Sequence, residues 1–518
     1  MTRTMLVAMT MLGGTAQAFC GFYVSGGGAS LFNDATQVAL MRQGTRTVLS
    51  MQNDYQGPPQ DFAMVVPVPV VLAKENVRTL RKELFTKLDQ LSAPRLVEYW
   101  EQDPCPKWAE SGGSFGLGSA GAVGYGTGAG GLGGRSLGVR VEAQFDVGEY
   151  EIVILSAEDA LGLETWLTTK GYKIPAGAAP LFRPYIQRGL KFFVAKVNVA
   201  KVRFQNGRVA LSPLRFHYDA DTFELPIRLG LINAKATQDL IVHVLARGQR
   251  YEVANAPNVT IPTNVDLVPS AKSEFGPFYA SLFDRTQAKA KGTVVTEYAW
   301  DATSCDPCPT PPLAERELIE LGLDVIDGPS EYVEPELEVK NADKLTPEQR
   351  SRLEPLLQNA KRQLRALTER RGRAGGFVIT RLHARYTKDS LGEDLVFRAA
   401  PPIAGGREFL TGEEGLERGA VPAPSNAFQA RYAVRHPWTG KATCKNPMWG
   451  VWGGKPGKNE EDDPSPAGRT AASATNTAFT RRDAKLDRLV ESPVPELELK
   501  GRKAGAGLST RAKPAVTP

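Results

Sequence analysis

A β-rich α+β fold is predicted by three features of the sequence. Apolar and polar residues alternate over several long stretches, leucines recur at helical spacing in only a few, and glycine and proline gather between them. Alternation lines one face of a half-buried strand with apolar side chains, the pattern of antiparallel sheets that cover a core on one side. The fold expected is therefore antiparallel sheets with a few packed helices, open to two similar halves, plus a helical insert and a disordered tail. The 518 residues are 42% apolar, enough material to bury a sizeable core.

The elements follow in order. Residues 37–40 and 45–51 read as strands around the turn Arg42-Gln43-Gly44, and 53–60 as a polar turn. The β-branched run 62–71 contains Pro67 and Pro69, which cannot donate to a ladder, so an edge or bulged strand is expected. Val77, Leu80, Leu84, Leu88 and Leu91 place a helix over 74–91. Residues 111–138 form a Gly-rich low-complexity loop. A hairpin runs through 141–155, and Ser156 caps a helix that Gly171 ends. Strands are expected over 192–204, 208–216, 239–246 and 250–254.

Beyond Thr310 the composition shifts. Pro311 and Pro312 open a short helix to Leu321. A second starts at Thr346-Pro347-Glu348, carries Leu353, Leu357, Leu364 and Leu367, and is kinked at Pro355. Its Lys361, Arg362, Arg365 and Arg370 read as a solvated face. Strands return over 376–385 and 395–398, and 455–518, without periodicity, reads as a disordered tail. The layout is thus a signal peptide (1–18), a first β-rich unit (19–110), the Gly-rich loop (111–138), a second β-rich unit (139–310), a helical insert (311–375), C-terminal strands completing the core (376–454) and the tail (455–518). A hint of duplication accompanies it. Glu98-Tyr99 leads into Asp103-Pro104-Cys105-Pro106, and Glu297-Tyr298 leads into Asp306-Pro307-Cys308-Pro309.

The N-terminus points to export. Arg3, the apolar run 5–12 and Ala16-Gln17-Ala18 have the layout of a signal peptide cleaved between Ala18 and Phe19. Phe19 is bulky, which disfavours lipid attachment at Cys20. No later run of about 18 apolar residues exists to anchor the mature chain by a helix. The destination expected is the periplasm, the outer membrane or the exterior. In such an oxidising compartment Cys20, Cys105, Cys305, Cys308 and Cys444 are disulfide candidates, and five leaves one over. A net charge of +6 is small for this length and gives no basis for nucleic-acid binding.

Candidate chemistry is sparse. Cys305-Asp306-Pro307-Cys308 has redox spacing, but Pro309-Thr310-Pro311-Pro312 delays the next helix, so its N-terminus cannot activate a thiol; a structural disulfide is expected. A zinc site would need Cys105 and Cys444 as further ligands. Gly116–Gly121, Gly126–Gly131 and Gly112–Gly116 match dinucleotide and hydrolase-elbow patterns only by letter, because no strand or helix frames them. His217, His243, His383 and His436 show no metal spacing. His217 and His383 read as strand ends, and a triad of a serine with His383 and Asp394 is selected by nothing. Trp438, Trp449 and Trp452 cluster near Cys444. They form either an aromatic binding surface or a flap closing on the core.

Several longer strings carry a family resemblance. They are Cys20-Gly21, Tyr55-Gln56-Gly57, Asp61-Phe62-Ala63, Val65-Val66-Pro67-Val68-Pro69, the run from Lys191 to Val197 and Leu225-Pro226-Ile227-Arg228-Leu229-Gly230. Cys305-Asp306-Pro307-Cys308-Pro309, the run from Thr380 to Tyr386 and His436-Pro437-Trp438 complete the set. With them, residues 20–454 outside the Gly-rich loop resemble the bacterial domain of unknown function 2330 family of exported proteins. Members often place a second cysteine soon after the first, where this chain has Phe22, Tyr23 and Val24. The resemblance implies export and a shared fold, and no reaction. The expected function is a non-enzymatic binding or scaffolding module of the envelope, needing no cofactor or metal and partnered by an envelope protein or polymer. The alternatives are a thiol–disulfide oxidoreductase using Cys305 and Cys308, and a hydrolase whose site assembles only in the fold.

Overall fold

The computed structural model describes residues 22–25, 37–105, 135–327, 375–407, 419–455, 469–475 and 481–502 apart from short internal gaps, with a few residues between 346 and 359. Residues 1–21, with Ala18, Phe19 and Cys20, most of the Gly-rich loop and most of the helix expected from Thr346 lie outside the described residues.

Seven strands and two helices position the polar groups of interest. The strands are β1 (Gln37–Gln43), β2 (Arg46–Met51), β3 (Arg95–Glu101), β4 (Gln238–Arg247), β5 (Val294–Asp301), β6 (Phe377–Tyr386) and β7 (Arg431–His436); the helices are α1 (Lys82–Ser92) and α2 (Phe275–Gln287). An 11-stranded sheet runs through β5-β6-β4-β1-β2, with β4 parallel to β1 and antiparallel to β6. Strands from the segments 19–110 and 139–310 therefore share one sheet, and β6 from the C-terminal part lies at its centre.

Side-chain alternation then builds the layers. Val38 and Leu40 of β1 face a second, six-stranded sheet and meet Met64, Val66, Ile152 and Phe193 in the main core. Ala39 and Met41 point the other way, onto Leu84, Phe85 and Leu88 of α1. The far face of the second sheet packs under the helices Ala160–Thr169 and Ala179–Gln187 through Leu163, Leu167 and Phe182. The result is a β-rich α+β architecture with helices on both outer faces. A further five-stranded sheet pairs β3 parallel with β7 and is covered by α2 through Phe275, Phe278 and Tyr432.

Most expected strands stand close to where alternation placed them, but the 192–204 strand ends at Val197, where a 3-10 turn over Val199–Lys201 follows, and the other corrections also have local causes. The 74–91 helix begins only at Lys82, because Val77–Thr79 is a strand that pairs with Leu214–Phe216. The cap of the next helix is Asp159, whose side chain accepts from Gly162 N, while Ser156 remains in a strand. The proline-bearing strand Phe62–Val68 pairs with Lys191–Val197 along its whole length and with Phe22–Ser25 over Phe62–Val65. The tail is not disordered throughout. Arg469–Ser473 pairs with β3, and Leu489, Val490, Val494 and Leu497 pack beside α2. These apolar residues are too widely spaced to register as periodic, yet each fills a place in the core.

Two stretches repeat one order of elements. A hairpin turning at Gly44 (φ 55°) is followed by α1, β3 and the turn at Asp103-Pro104-Cys105. About 200 residues later β4 turns at Gly248 (φ 60°) into the strand Arg250–Val253, which pairs with Leu395–Ala400 and not with β4, and α2, β5 and the turn at Asp306-Pro307-Cys308 follow. Positive φ at both turns is the conformation glycine adopts without a steric penalty.

Candidate functional site

The most concentrated polar chemistry lies inside the protein, where the central sheet meets α1 and α2. Strand alternation turns Arg381 and His383 of β6, Glu297 of β5 and Asp239 and His243 of β4 inward, and Arg381, His383, Glu297 and His243 are fully buried. Arg381 Nε donates to Glu297 Oε2 at 2.6 Å, and its Nη1 donates to Asp89 Oδ1 of α1 at 2.5 Å. His383 spans two carboxylates, with Nδ1 2.8 Å from Glu297 Oε1 and Nε2 2.9 Å from Asp239 Oδ1. Tyr279 of α2 donates to Glu297 Oε1 at 2.5 Å. Arg385 and Arg482 close the network onto Asp239 and Asp284. Four carboxylates (Asp89, Asp239, Asp284, Glu297) thus meet four basic groups (Arg381, His383, Arg385, Arg482).

The electrostatics follow from these contacts. Burial opposes ionisation of Glu297, but the His383 and Arg381 charges outweigh it and hold the carboxyl down to about 2. Burial likewise opposes the charged form of His383, and Glu297 and Asp239 overcome it, so its pKa lies above the ordinary value. With both ring nitrogens facing carboxylates, His383 has no lone pair left to accept a proton from a substrate. His243 is the reverse case, pushed well below its ordinary value by burial and then by the Arg381 charge.

A serine triad around His383 and Asp394 is not assembled among the described residues. Asp394 does not serve His383; it accepts from Tyr185 Oη at 2.8 Å and from the backbone N–H of Ile227 and Arg228. A serine does meet a histidine, Ser92 Oγ lying 3.1 Å from His243 Nε2. However, the Ser92 hydroxyl donates to Leu88 O at 2.7 Å, so its proton points away from the ring, and both side chains are sealed from solvent. His217 is half-buried against Asn76 Nδ2, and His383 lies inside β6, which is set one residue later than the expected 376–385. Among the described residues no group of three or more His, Cys, Asp or Glu could hold a metal ion.

The cysteines pair as Cys105–Cys444 and Cys305–Cys308. Beneath the second pair, Arg95 Nη1 donates to Pro307 O at 2.7 Å and Gln429 Nε2 donates to Asp306 O. The next helix starts only at Glu315, so no helix N-terminus faces either sulfur. In protein taken from its native compartment, Cys305–Cys308 is therefore expected to be fully oxidised and to resist mild reductant. A reduced fraction, or a mixed disulfide with another protein in a non-reducing mass-spectrometric map, would assign that loop a redox role instead.

The first pair belongs to the aromatic cluster. After β7 the chain runs through an exposed loop, 437–451, and returns as the short strand Trp452–Gly453 beside β3. Glu101 at the end of β3 holds both arms: Oε2 accepts from Trp438 N and Oε1 from Gly450 N, each at 3.0 Å. Gln102 donates to Gly454 O, Met448 N donates to Pro104 O, and the Cys105–Cys444 bond crosses the middle. Gly440 passes so close to the Trp438 indole that a Cβ there would lie 2.6 Å from the ring. Trp438, Trp449 and Trp452 are half-buried, while Met448 and Val451 are 57% and 46% exposed. At the root of the loop, His436 stacks on Trp100 at 4.8 Å and lies 3.1 Å from Glu98 Oε1. Glu98 also pairs with Lys272 at 2.7 Å, which with His436 outweighs burial and holds its carboxyl below the usual range.

The sequence thus brought forward the tryptophans and the four paired cysteines. It assigned no role to Glu101, Asp89, Asp239, Glu297 or Arg381. Glu98 and Glu297, in the repeated Glu-Tyr strings, were the available signal, since each carries a histidine and a cation. A family profile described as an uncharacterized protein conserved in bacteria matches residues 14–398. No curated protein and no solved structure matches the chain.

Proposed function

The chain belongs to the domain of unknown function 2330 family, and on that premise we propose that it is an exported envelope protein that acts by binding rather than by catalysis, with the 437–453 loop as its contact surface. The observation that carries this reading is the loop itself. Three half-buried tryptophans and two exposed apolar residues sit on a backbone fixed by a disulfide and by both oxygens of Glu101. Aromatic side chains ordered before contact lose little entropy on binding and offer large apolar faces. The signal-like N-terminus and the two disulfides suit an oxidising compartment outside the cytoplasm.

Two measurements test it. N-terminal sequencing of the protein recovered from expressing cells is expected to start at Phe19, and an intact Met1 would overturn export. Purified mature chain is expected to cosediment with isolated cell-envelope material. A Trp438→Ala/Trp449→Ala variant should bind at least about tenfold more weakly while unfolding at an unchanged denaturant midpoint. Equal binding by the two proteins would remove the loop from the function.

A further inference from the structure

We infer that the 437–455 loop docks on an anionic lipid surface, an inference that rests on the loop being the contact surface and adds the chemistry of its partner. Three properties of the loop lead there. Its exposed tip is apolar, with Met448 and Val451 projecting between half-buried Trp449 and Trp452. Its exposed charges have one sign: Lys441, Lys445 and Lys455 are exposed, and residues 437–455 contain no Asp or Glu. The nearest carboxylates on β3 are engaged behind it, Glu101 by two backbone N–H groups and Glu98 by Lys272 and His436.

Tryptophan partitions to the headgroup level of a bilayer, where its ring is amphipathic. A short apolar tip enters the boundary of the acyl region, and flanking lysines keep their ammonium groups at the phosphates. Neither contribution anchors a protein strongly by itself, whereas a small apolar insertion together with a basic cluster gives reversible binding to anionic lipid. The fixed backbone matters here. Glu101 and Cys105–Cys444 hold the tip outward, so no folding cost is incurred on contact. No helix among the described residues is long and apolar enough to cross a membrane, and docking of this kind requires none.

The test uses the full mature chain, because Glu460, Glu461, Asp462 and Asp463 follow the loop in sequence. It is mixed with vesicles of phosphatidylglycerol and phosphatidylcholine, and with phosphatidylcholine alone. Binding is expected only to the anionic vesicles and should weaken steeply with added salt. Met448→Asp/Val451→Asp, at positions already exposed, should abolish it. Lys441→Ala/Lys445→Ala/Lys455→Ala should weaken it about a hundredfold, from roughly a fivefold loss per lysine. Equal binding to both vesicle types, or anionic binding untouched by both variants, would overturn the inference. Binding to envelope material or to a soluble anionic polysaccharide without binding to vesicles would also overturn it, while leaving the loop as a contact surface.

Discussion

Replacing Arg381 by methionine is expected to cost about 3–5 kcal/mol of folding stability, the loss typical of breaking a fully buried ion pair from one side. Methionine has comparable length, so the space stays nearly filled and the effect is electrostatic. Asp89 and Glu297 would each lose a short hydrogen bond and a neutralising charge with no water to replace them. The denaturant midpoint should fall with little change in the slope. Adding Asp89→Asn removes one of the stranded charges and should recover part of the loss. Arg385, which is partly exposed and shares Asp239 with Arg482, offers a comparison, and Arg385→Met should cost much less. An Arg381→Met loss below about 1 kcal/mol would mean that the network contributes nothing to holding α1 against the sheet.

Folding stability is also expected to peak near pH 6.5 and to decline on both sides, for reasons lodged in two buried histidines. His383 has its pKa raised by Glu297 and Asp239 acting against burial. Its contribution is complete below about 6.5 and is lost as the pH rises through the folded value, because only the folded state still binds that proton. His243 is held neutral, well below its ordinary 6.5. As the pH drops below about 6.5 the unfolded chain takes up a proton that the folded chain refuses, so stability falls. Glu297, held to about 2 from 4.5, and Asp239, held below 3.8, add a second acid limb. Their contribution is present above about 4.5 and disappears as the pH falls toward about 2. Denaturant midpoints taken from about pH 2 to about pH 9 should trace this dome. His383→Gln should flatten the alkaline side, and His243→Gln the limb just below neutrality. A flat profile between about pH 5 and about pH 8 would contradict the protonation states assigned to both rings.

The strands were legible because alternation is a local property. Val38-Ala39-Leu40-Met41 declares two faces with no knowledge of what covers them, and the structure supplies the second sheet on one side and α1 on the other. Misreadings arose where a distant partner outvoted local spacing. Val77 and Leu80 fit the helix that follows, yet Val77–Thr79 pairs with Leu214–Phe216. The tail shows no periodicity, yet Leu489, Val490 and Leu497 complete a core begun more than two hundred residues earlier by α2. The tryptophan cluster was visible because its members are near neighbours in sequence. Whether it faced solvent or the core was not, since that depended on Glu101 and Cys105, more than three hundred residues away from Trp438 and Cys444.

By itself the sequence determined the fold class, the cysteines available for pairing and the aromatic composition of one loop, because each is written in short-range pattern or composition. Tertiary structure alone decided the partners: which cysteine joins which, that His383 sits between two carboxylates, that Ser92 turns its proton from His243, and that the tryptophans stand at the surface. Strand register is the reason. A shift of one residue in β4, β5 or β6 would turn the network side chains carried by that strand to the opposite face. Register is set by pairing between segments that no local pattern connects.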